Sequence, residues 1–398
     1  MSQKKVNSWQ IVSGILLFGN ITWTPVQNKL LAQSVAANPL EIEIDRSDPV
    51  IPLGYQKRQL STFEINRIKR EIKRLDLDAK QKLQGDTEQA FKLWYRQLKL
   101  ARALGTETEI AALGRVGAIA WQANRGADLR NIANRLIAIE SETDLDKLPS
   151  KQLEQLANSY QQVRYLDRAI AIYEQILAKH KQHQNLSKIA ENRQLLGELY
   201  LSNFDYQKAA NTYRELLKTA LTKSPGESQI SFYQQTLSDI YDRTGQTKQA
   251  LKVKTDLIAT YKTEGKSERL ARLELAIATD YEILNRIPES AAAYERAFNS
   301  ALAEQQLAIA NDALTGLGNL YQKEKKYQKA IATYTRLLPI QRQSYNHYGS
   351  IDTHDRLGTI YLKLKQPQPA KQHFKQALEL ARGLDYRVNY FNTRIEQL

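Results

Sequence analysis

The chain has 398 residues, of which 42% are hydrophobic and 25% are charged, and its formal net charge is +14. This length exceeds one ordinary hydrophobic core, so the chain forms either several domains or one elongated repeat structure. The absence of cysteine excludes disulfides, thiolate metal sites and a cysteine nucleophile. Only 17 glycines and 10 prolines are present, and this scarcity favours long helices over a strand-rich fold.

The N-terminus predicts export to the periplasm. Lys4 and Lys5 precede a short apolar run at residues 11–18, and small residues follow as far as Ala36. These features are typical of a secretory signal peptide, so we assign residues 1–36 to a signal that is cleaved near Ala36. The run is shorter than the roughly 20 residues that cross a bilayer. A weakly helical N-terminus and an uncleaved membrane anchor are the alternatives.

Residues 37–60 are predicted to be a linker. They contain two X-Pro pairs, at residues 48–49 and 51–52, which favour turns or extended chain. Helical periodicity begins near Ser61, which has capping-box spacing to Glu64. We therefore expect the folded part of the chain to begin with a helix at this point.

A short phrase then recurs six times: Leu or Ile, a small residue, two further residues and Tyr. The six tyrosines are 40, 41, 40, 40 and 40 residues apart. Nine residues after each tyrosine stands a small residue, and four residues further stands an aromatic residue or, in the third copy, Lys254. Structural roles are assigned to the tyrosines, to the alanines that follow them and to the glycines of the phrase: Tyr160, Tyr200, Tyr241, Tyr281, Tyr321, Tyr361, Ala169, Ala209, Ala250, Ala330, Ala370, Gly197, Gly318 and Gly358.

This spacing predicts helix hairpins that stack, because a single hairpin cannot bury both of its faces. The small residues allow the two helices of a hairpin to approach closely, and the aromatic residues are expected to fill the space between neighbouring hairpins. Residues 150–384 then form six repeats, and residues 385–398 form a C-terminal capping helix. Weaker copies near Trp94 and Val116 assign residues 61–149 to degenerate N-terminal repeats, giving about eight in all.

The six phrases resemble the tetratricopeptide repeat family. The resemblance implies an all-α fold, a right-handed superhelical solenoid of about eight helix hairpins, and a binding scaffold instead of an enzyme. The period of 40 residues is longer than the 34 that is usual in the family. The extra length implies either helices longer by about one turn each or longer links.

In this family the first helix of each hairpin lines an inner, concave surface. The resemblance therefore places groove positions around each repeat tyrosine. The resulting set is rich in amides, which both donate and accept hydrogen bonds and suit an extended protein or peptide partner. The residues assigned to the partner-binding groove are Asn158, Gln161, Gln162, Gln194, Gln235, Asp239, Asp242, Arg243, Asn319, Gln322, Lys323 and Arg356.

Residues that indicate catalysis or metal binding are few. A glycine-rich phosphate loop, a nucleophile elbow and a zinc-protease helix signature are all absent from the sequence, so we predict no enzyme and no resident cofactor. Asp352, His354 and Asp355 are the best metal candidates, because oxygen ligands with one imidazole suit a hard ion such as Mn²⁺. Ordinary solvated residues at a helix start are the alternative. His373 is interpreted as a surface residue.

The sequence therefore favours an exported, non-catalytic scaffold for a partner protein or peptide. Its basic charge favours acidic partners or an anionic membrane surface, and because this charge is spread along helices we predict no nucleic-acid partner. The signal, the repeat number and the acidic–histidine cluster are also similar to those of the cyanobacterial processing-associated tetratricopeptide repeat proteins. That resemblance implies assembly of photosystem II, Mn²⁺ binding and peripheral association with a membrane complex. An intracellular peptide-sensing regulator is the alternative.

Overall fold

The computed structural model describes residues 38–41, 48–52, 54–222 and 227–398, so the predicted signal peptide lies outside the described residues. Within these ranges the chain forms seventeen α-helices and no strand, which confirms the all-α prediction. None of the helices described is both long enough and apolar enough to cross a membrane. The helices are α1 (Thr62–Lys82), α2 (Thr87–Ala103), α3 (Thr106–Gln122), α4 (Gly126–Ser141), α5 (Ser150–Gln162), α6 (Leu166–Gln182), α7 (Leu186–Ser202), α8 (Tyr206–Thr222), α9 (Glu227–Arg243), α10 (Thr247–Thr263), α11 (Leu270–Ile283), α12 (Ile287–Ala303), α13 (Leu307–Lys323), α14 (Tyr327–Gln343), α15 (His347–Lys363), α16 (Pro367–Leu384) and α17 (Val388–Glu396).

The chain divides into two compact units, Met1–Asp144 with α1–α4 and Leu145–Leu398 with α5–α17. The first unit begins at the predicted capping box, in which Ser61 accepts from the Glu64 N–H and the Glu64 carboxylate accepts from the Ser61 N–H. Trp94 of α2 is fully buried, and its Nε1 donates to Asp76 of α1 at 3.1 Å. The first hairpin is thus held by one large side chain and one buried polar contact.

The described part of the predicted linker packs against the first unit. Leu40 is fully buried, and Arg102 donates to its carbonyl oxygen at 2.6 Å. Asp48 forms an ion pair with Arg96 at 2.9 Å. The prediction of a linker over residues 37–60 is therefore corrected for these residues, because they make tertiary contacts that turn signals in the sequence do not reveal.

Six hairpins, from α5/α6 to α15/α16, form the second unit, which confirms a helical-hairpin repeat solenoid. Most of these helices contain 17 residues, and most of the described links contain three, so two helices and two links fill 40 residues. Longer helices, and not longer links, therefore explain the period. The right-handed sense of the superhelix stays a prediction.

Each three-residue link has a left-handed residue in the middle, such as Lys325 with φ of 55° or Gly265 with φ of 68°. The N–H of the third link residue donates to a carbonyl oxygen five residues earlier, which is the Schellman ending of a helix. All six repeat tyrosines accept this bond, as Tyr321 does from Lys326 at 2.8 Å. The repeat tyrosine thus marks the last turn of the first helix in every hairpin.

The glycines of the phrase lie beneath the aromatic ring of their own hairpin. A Cβ atom on Gly318 would lie 2.7 Å from Cζ of Tyr334, and one on Gly358 would lie 2.7 Å from Cζ of Phe374. Both rings are fully buried. The expectation that these aromatics lie between neighbouring hairpins is corrected here, because each ring occupies the space that the missing side chain leaves within its own hairpin.

The remaining residues of the repeat pattern differ in burial. The first three repeat tyrosines, Tyr160, Tyr200 and Tyr241, are buried, whereas the last three are partly exposed. The alanines nine residues after a tyrosine are fully buried where the second helix crosses the first: Ala169, Ala209, Ala250, Ala330 and Ala370. A larger side chain at these alanines would therefore separate the two helices.

The helix α17 packs on the last hairpin. Its Phe391 is fully buried in the cluster formed by α15 and α16. Val388, Ile395 and Leu398 pack against the same cluster. The four apolar residues therefore shield the final hairpin, which has no further hairpin to pack against.

Candidate partner-binding groove

Three cavities lie in the second unit, each between one hairpin and the first helix of the next. The first cavity (α5, α6 and α7) has about 200 Å³, the second (α7, α8 and α9) about 430 Å³, and the third (α9, α10 and α11) about 370 Å³. They share one register: twenty residues after a repeat tyrosine, and twelve and eight before the next, the lining residues are His180, Lys188 and Asn192; Ala220, Gln229 and Tyr233; and Tyr261, Arg269 and Leu273.

The first cavity is polar. The hydroxyl group of Tyr173 donates to Oδ1 of Asn158 at 2.6 Å, and Lys188 forms an ion pair with Glu191 at 2.7 Å. Asn192 is 7% exposed, and its Oδ1 receives no hydrogen bond from the described residues. A buried acceptor without a donor is unfavourable, so this cavity suits a ligand group that brings an N–H or O–H.

The second cavity is mostly apolar. Its lining includes Leu186, Ile189, Leu216, Ala220 and the ring of Tyr233. Leu186 is 60% exposed at this surface. An exposed leucine beside an apolar recess gains free energy when a partner side chain removes both from water.

The third cavity has a charged lining because Lys254 stands where the other second helices carry an aromatic ring. Lys254 is 4% exposed, and its Nζ lies 2.8 Å from a carboxylate oxygen of Asp242 and 2.8 Å from one of Asp280. Asp280 is equally buried, whereas Asp242 is exposed at the cavity mouth. One ammonium group serves two carboxylates, so the three groups together keep a net negative charge.

Asp239 adds another carboxylate to the α9 side of the third cavity. Within the described residues it forms no hydrogen bond or ion pair. Desolvation raises the pKa of Asp239, and the neighbouring Asp242 carboxylate raises it further, although Arg243 and Lys254 oppose this. Burial also raises the pKa of Asp280, and Lys254 opposes that shift. Both directions show that these carboxylates have too little positive charge around them.

The opposite side of the third cavity carries positive groups. Arg269 lies over the ring of Tyr261, 5.6 Å from its centroid, and the Tyr261 hydroxyl donates to Oε1 of Gln235 at 3.2 Å. Arg272 lines the same side, is exposed, and forms no ion pair within the described residues. The third cavity therefore has an acidic side on α9 and a basic side on α11.

The predicted groove residues separate into three groups. Gln235, Asp239 and Asp242 line the third cavity, and Asn158 lines the first. Four others line none of the three cavities and lie exposed or half-exposed on the first helices: Gln161, Gln162, Gln194 and Arg243. The last four, Asn319, Gln322, Lys323 and Arg356, lie on α13 and α15.

The groove residues on α13 and α15 are engaged within the repeat. Oδ1 of Asn319 accepts from the Tyr334 hydroxyl at 2.7 Å and from Arg356 at 2.7 Å. Gln322 also accepts from Tyr334, at 3.2 Å, and Lys323 lies 3.6 Å from a carboxylate oxygen of Glu282. The asparagine two residues before a repeat tyrosine therefore serves first to hold the aromatic residue of the second helix.

The three predicted metal ligands are not brought together as a metal site. Arg387 donates to Asp352 at 3.0 Å and to Asp355 at 2.7 Å, and its guanidinium neutralises both carboxylates. His354 points instead to His373, which corrects the interpretation of His373 as a plain surface residue. Within the described ranges, no group of three or more His, Cys, Asp or Glu side chains is placed to hold a metal ion. The prediction of an Mn²⁺ site at these residues is therefore corrected.

Two family models, both described as tetratricopeptide repeat, match residues 309–383 and residues 152–185. The first match spans most of α13 together with α14–α16, and the second spans α5 and α6. The chain contains tetratricopeptide repeats. Stacked repeats of this kind typically form extended binding surfaces for proteins or peptides. The narrower resemblance to photosystem II assembly factors stays a prediction.

Several solved structures are similar in fold. BtubC (BKLC) from P. vanneervenii is 19% identical, with a TM-score of 0.38 over 55% of this chain and 92% of that chain. The apo form of RapI is 13% identical, with a TM-score of 0.40 over 81% of this chain and 96% of that chain. A signal transduction ATPase from Pyrococcus horikoshii with a tetratricopeptide repeat sensor is 16% identical, with a TM-score of 0.39 over 83% of this chain and 48% of that one. No curated protein sequence matches significantly.

Sequence reasoning did not assign Lys254, Tyr261, Arg269 or Arg272 to the groove. Only Lys254 leaves a visible sign in the sequence, since it interrupts a column of aromatic residues. The other three lie at positions where the repeat tolerates any residue type. Their common location becomes evident only when α10 and α11 pack together.

Proposed function

We propose that the second unit is a non-catalytic scaffold that binds an extended segment of a partner protein along the three cavities. The carrying observation is the shared register of these cavities at three consecutive hairpin junctions. An extended chain presents side chains at regular intervals and can therefore enter successive recesses of a repeat surface.

The chemistry of the cavities defines the segment that fits best. The first cavity offers the unsatisfied acceptor of Asn192, so a polar group with an N–H or O–H suits it. The second is apolar around Leu216 and Tyr233 and accepts an aliphatic or aromatic side chain. The third places Asp239 opposite Arg272 and selects a charged side chain. The proposed order along the groove is thus polar, apolar and charged.

The proposal includes export and, more narrowly, an assembly role at a membrane complex such as photosystem II. Export is supported by the basic, apolar and small-residue pattern of the N-terminus. The net charge of +14 supports contact with an anionic membrane surface or an acidic partner. A partner found only in the cytosolic fraction would favour the intracellular regulator instead.

Site-specific photo-crosslinking tests the groove. A photoreactive residue replaces Gln235, which lies exposed at the third cavity, or Lys248, an exposed residue of α10 that lines none of the three cavities. We expect the probe at position 235 to crosslink a polypeptide in extracts of the native cells, and the probe at position 248 to crosslink none. Combining the first probe with Asp239→Asn should lower the yield. Equal crosslinking at both positions, or none at position 235, contradicts the proposal.

A further inference from the structure

Two histidines of the last hairpin face each other across α15 and α16. Nδ1 of His354 lies 3.0 Å from Nδ1 of His373, although 19 residues separate them in the chain. Both side chains are partly buried, and the ring of Tyr361 stacks on His373 with centroids 5.5 Å apart. We propose that this pair is a bidentate site for a divalent transition metal, Cu²⁺ before all others, with water in the remaining positions.

The distance between the two nitrogens favours a particular geometry. Imidazole nitrogens bind first-row metals at about 2.0–2.1 Å, so two of them 3.0 Å apart subtend an angle of about 95° at the metal. This angle is near that of neighbouring ligands in a square-planar or octahedral complex and smaller than the tetrahedral angle. Tetragonal nitrogen sites are typical of Cu²⁺ and Ni²⁺, and Cu²⁺ binds most tightly in the divalent series.

The protonation state of the pair is the one that metal binding requires. Burial, together with the neighbouring His373, lowers the pKa of His354 to about 4, and burial lowers the pKa of His373. Both rings are therefore neutral near pH 7. Without metal, one Nδ1 carries the proton and donates to the other; when the metal binds, that proton moves to Nε2 of the same ring, and both Nδ1 lone pairs face the ion.

The donor set distinguishes this site from the hard-metal site that the sequence predicted. Two imidazoles are borderline ligands, whereas Mn²⁺ prefers oxygen and stands first, as the weakest, in the same series. The carboxylates of Asp352 and Asp355 are occupied by Arg387 and provide no oxygen for the pair. The inferred site thus depends on His354 and His373 alone, each held by its own helix.

A Cu²⁺ titration of the untagged full chain tests the inference. We expect calorimetry to show one Cu²⁺ bound per chain, with an affinity at least tenfold higher than for His354→Asn or His373→Asn. His183→Asn and His347→Asn remove exposed histidines outside the pair and should bind like the unmodified protein. Binding to Mn²⁺ under the same conditions should be much weaker.

A spectroscopic measurement keeps the test independent of how the variants fold. Electron paramagnetic resonance of the unmodified protein with one equivalent of Cu²⁺ should show coupling to two imidazole nitrogens. A spectrum without nitrogen coupling overturns the inference. The same holds if both asparagine variants, shown by circular dichroism to be folded, retain the affinity of the unmodified protein, or if Mn²⁺ binds as tightly as Cu²⁺.

Discussion

Replacing Lys254 with methionine should destabilise the second unit substantially, because it leaves a buried carboxylate without its partner. The Lys254 side chain is 5% exposed and that of Asp280 is 6% exposed, with 2.8 Å between Nζ and the carboxylate oxygen. Methionine keeps most of the aliphatic length but not the charge. Removal of one partner from a buried ion pair typically costs about 3–5 kcal/mol. We expect the free energy of unfolding to fall by that amount at pH 7.

The effect should depend on pH in a direction that the pKa of Asp280 determines. Burial raises this pKa and Lys254 lowers it, so the pKa should rise further in Lys254→Met. A carboxyl group with a higher pKa in the folded than in the unfolded state makes folding less favourable at pH values above the folded pKa. The penalty disappears as the pH falls towards the unfolded value of about 3.9. The deficit of Lys254→Met should therefore be larger at pH 7 than at pH 5.

Urea denaturation followed by circular dichroism measures these differences. The double variant Lys254→Met with Asp280→Asn removes the unpaired charge and should recover most of the loss. Lys252→Met, an exposed substitution on the same helix, should change the stability by less than about 0.5 kcal/mol. The reasoning is refuted if Lys254→Met is no less stable than Lys252→Met, or if Asp280→Asn restores nothing.

Two further pairs of variants test the repeat architecture by urea denaturation. Gly318→Ala should be less stable than Gly383→Ala by about 1–3 kcal/mol, because only the first new methyl group collides with a buried ring, that of Tyr334, while both gain helix propensity; equal stabilities would contradict the packing described. Lys325→Gly should stabilise the protein by about 0.5–1 kcal/mol, and Gly265→Ala should destabilise it by about 1 kcal/mol, because both residues have the left-handed conformation that glycine adopts most easily; opposite signs would exclude this explanation.

The sequence was sufficient for the parts of the fold that local interactions determine. The 40-residue period follows from helix length and from link residues, and both act within a few positions of the chain. The tyrosine of each phrase lies in the last turn of its helix, where the Schellman bond forms. The six hairpins between α5 and α16 could therefore be predicted from spacing alone, as could the all-α class.

The candidate groove could be predicted only in part. Asp239 and Asp242 were found because the repeat fixes which face of a first helix they occupy. Asn319 lies on the same face, yet it is engaged by the Tyr334 hydroxyl and by Arg356. Face and register follow from periodicity, whereas the state of a side chain depends on which neighbours reach it. The sequence therefore located the groove surface but not the free groups within it.

The tertiary structure decided the contacts that join distant parts of the chain. Lys254 meets Asp280 across 26 residues, and Arg387 meets Asp355 across 32 residues. His354 and His373 come from different helices of one hairpin, and neither has a local pattern that predicts the other. Such pairs depend on how side chains of successive helices interlock, and this packing selects by shape and charge. Periodicity determined the repeat, and packing between helices determined its chemistry.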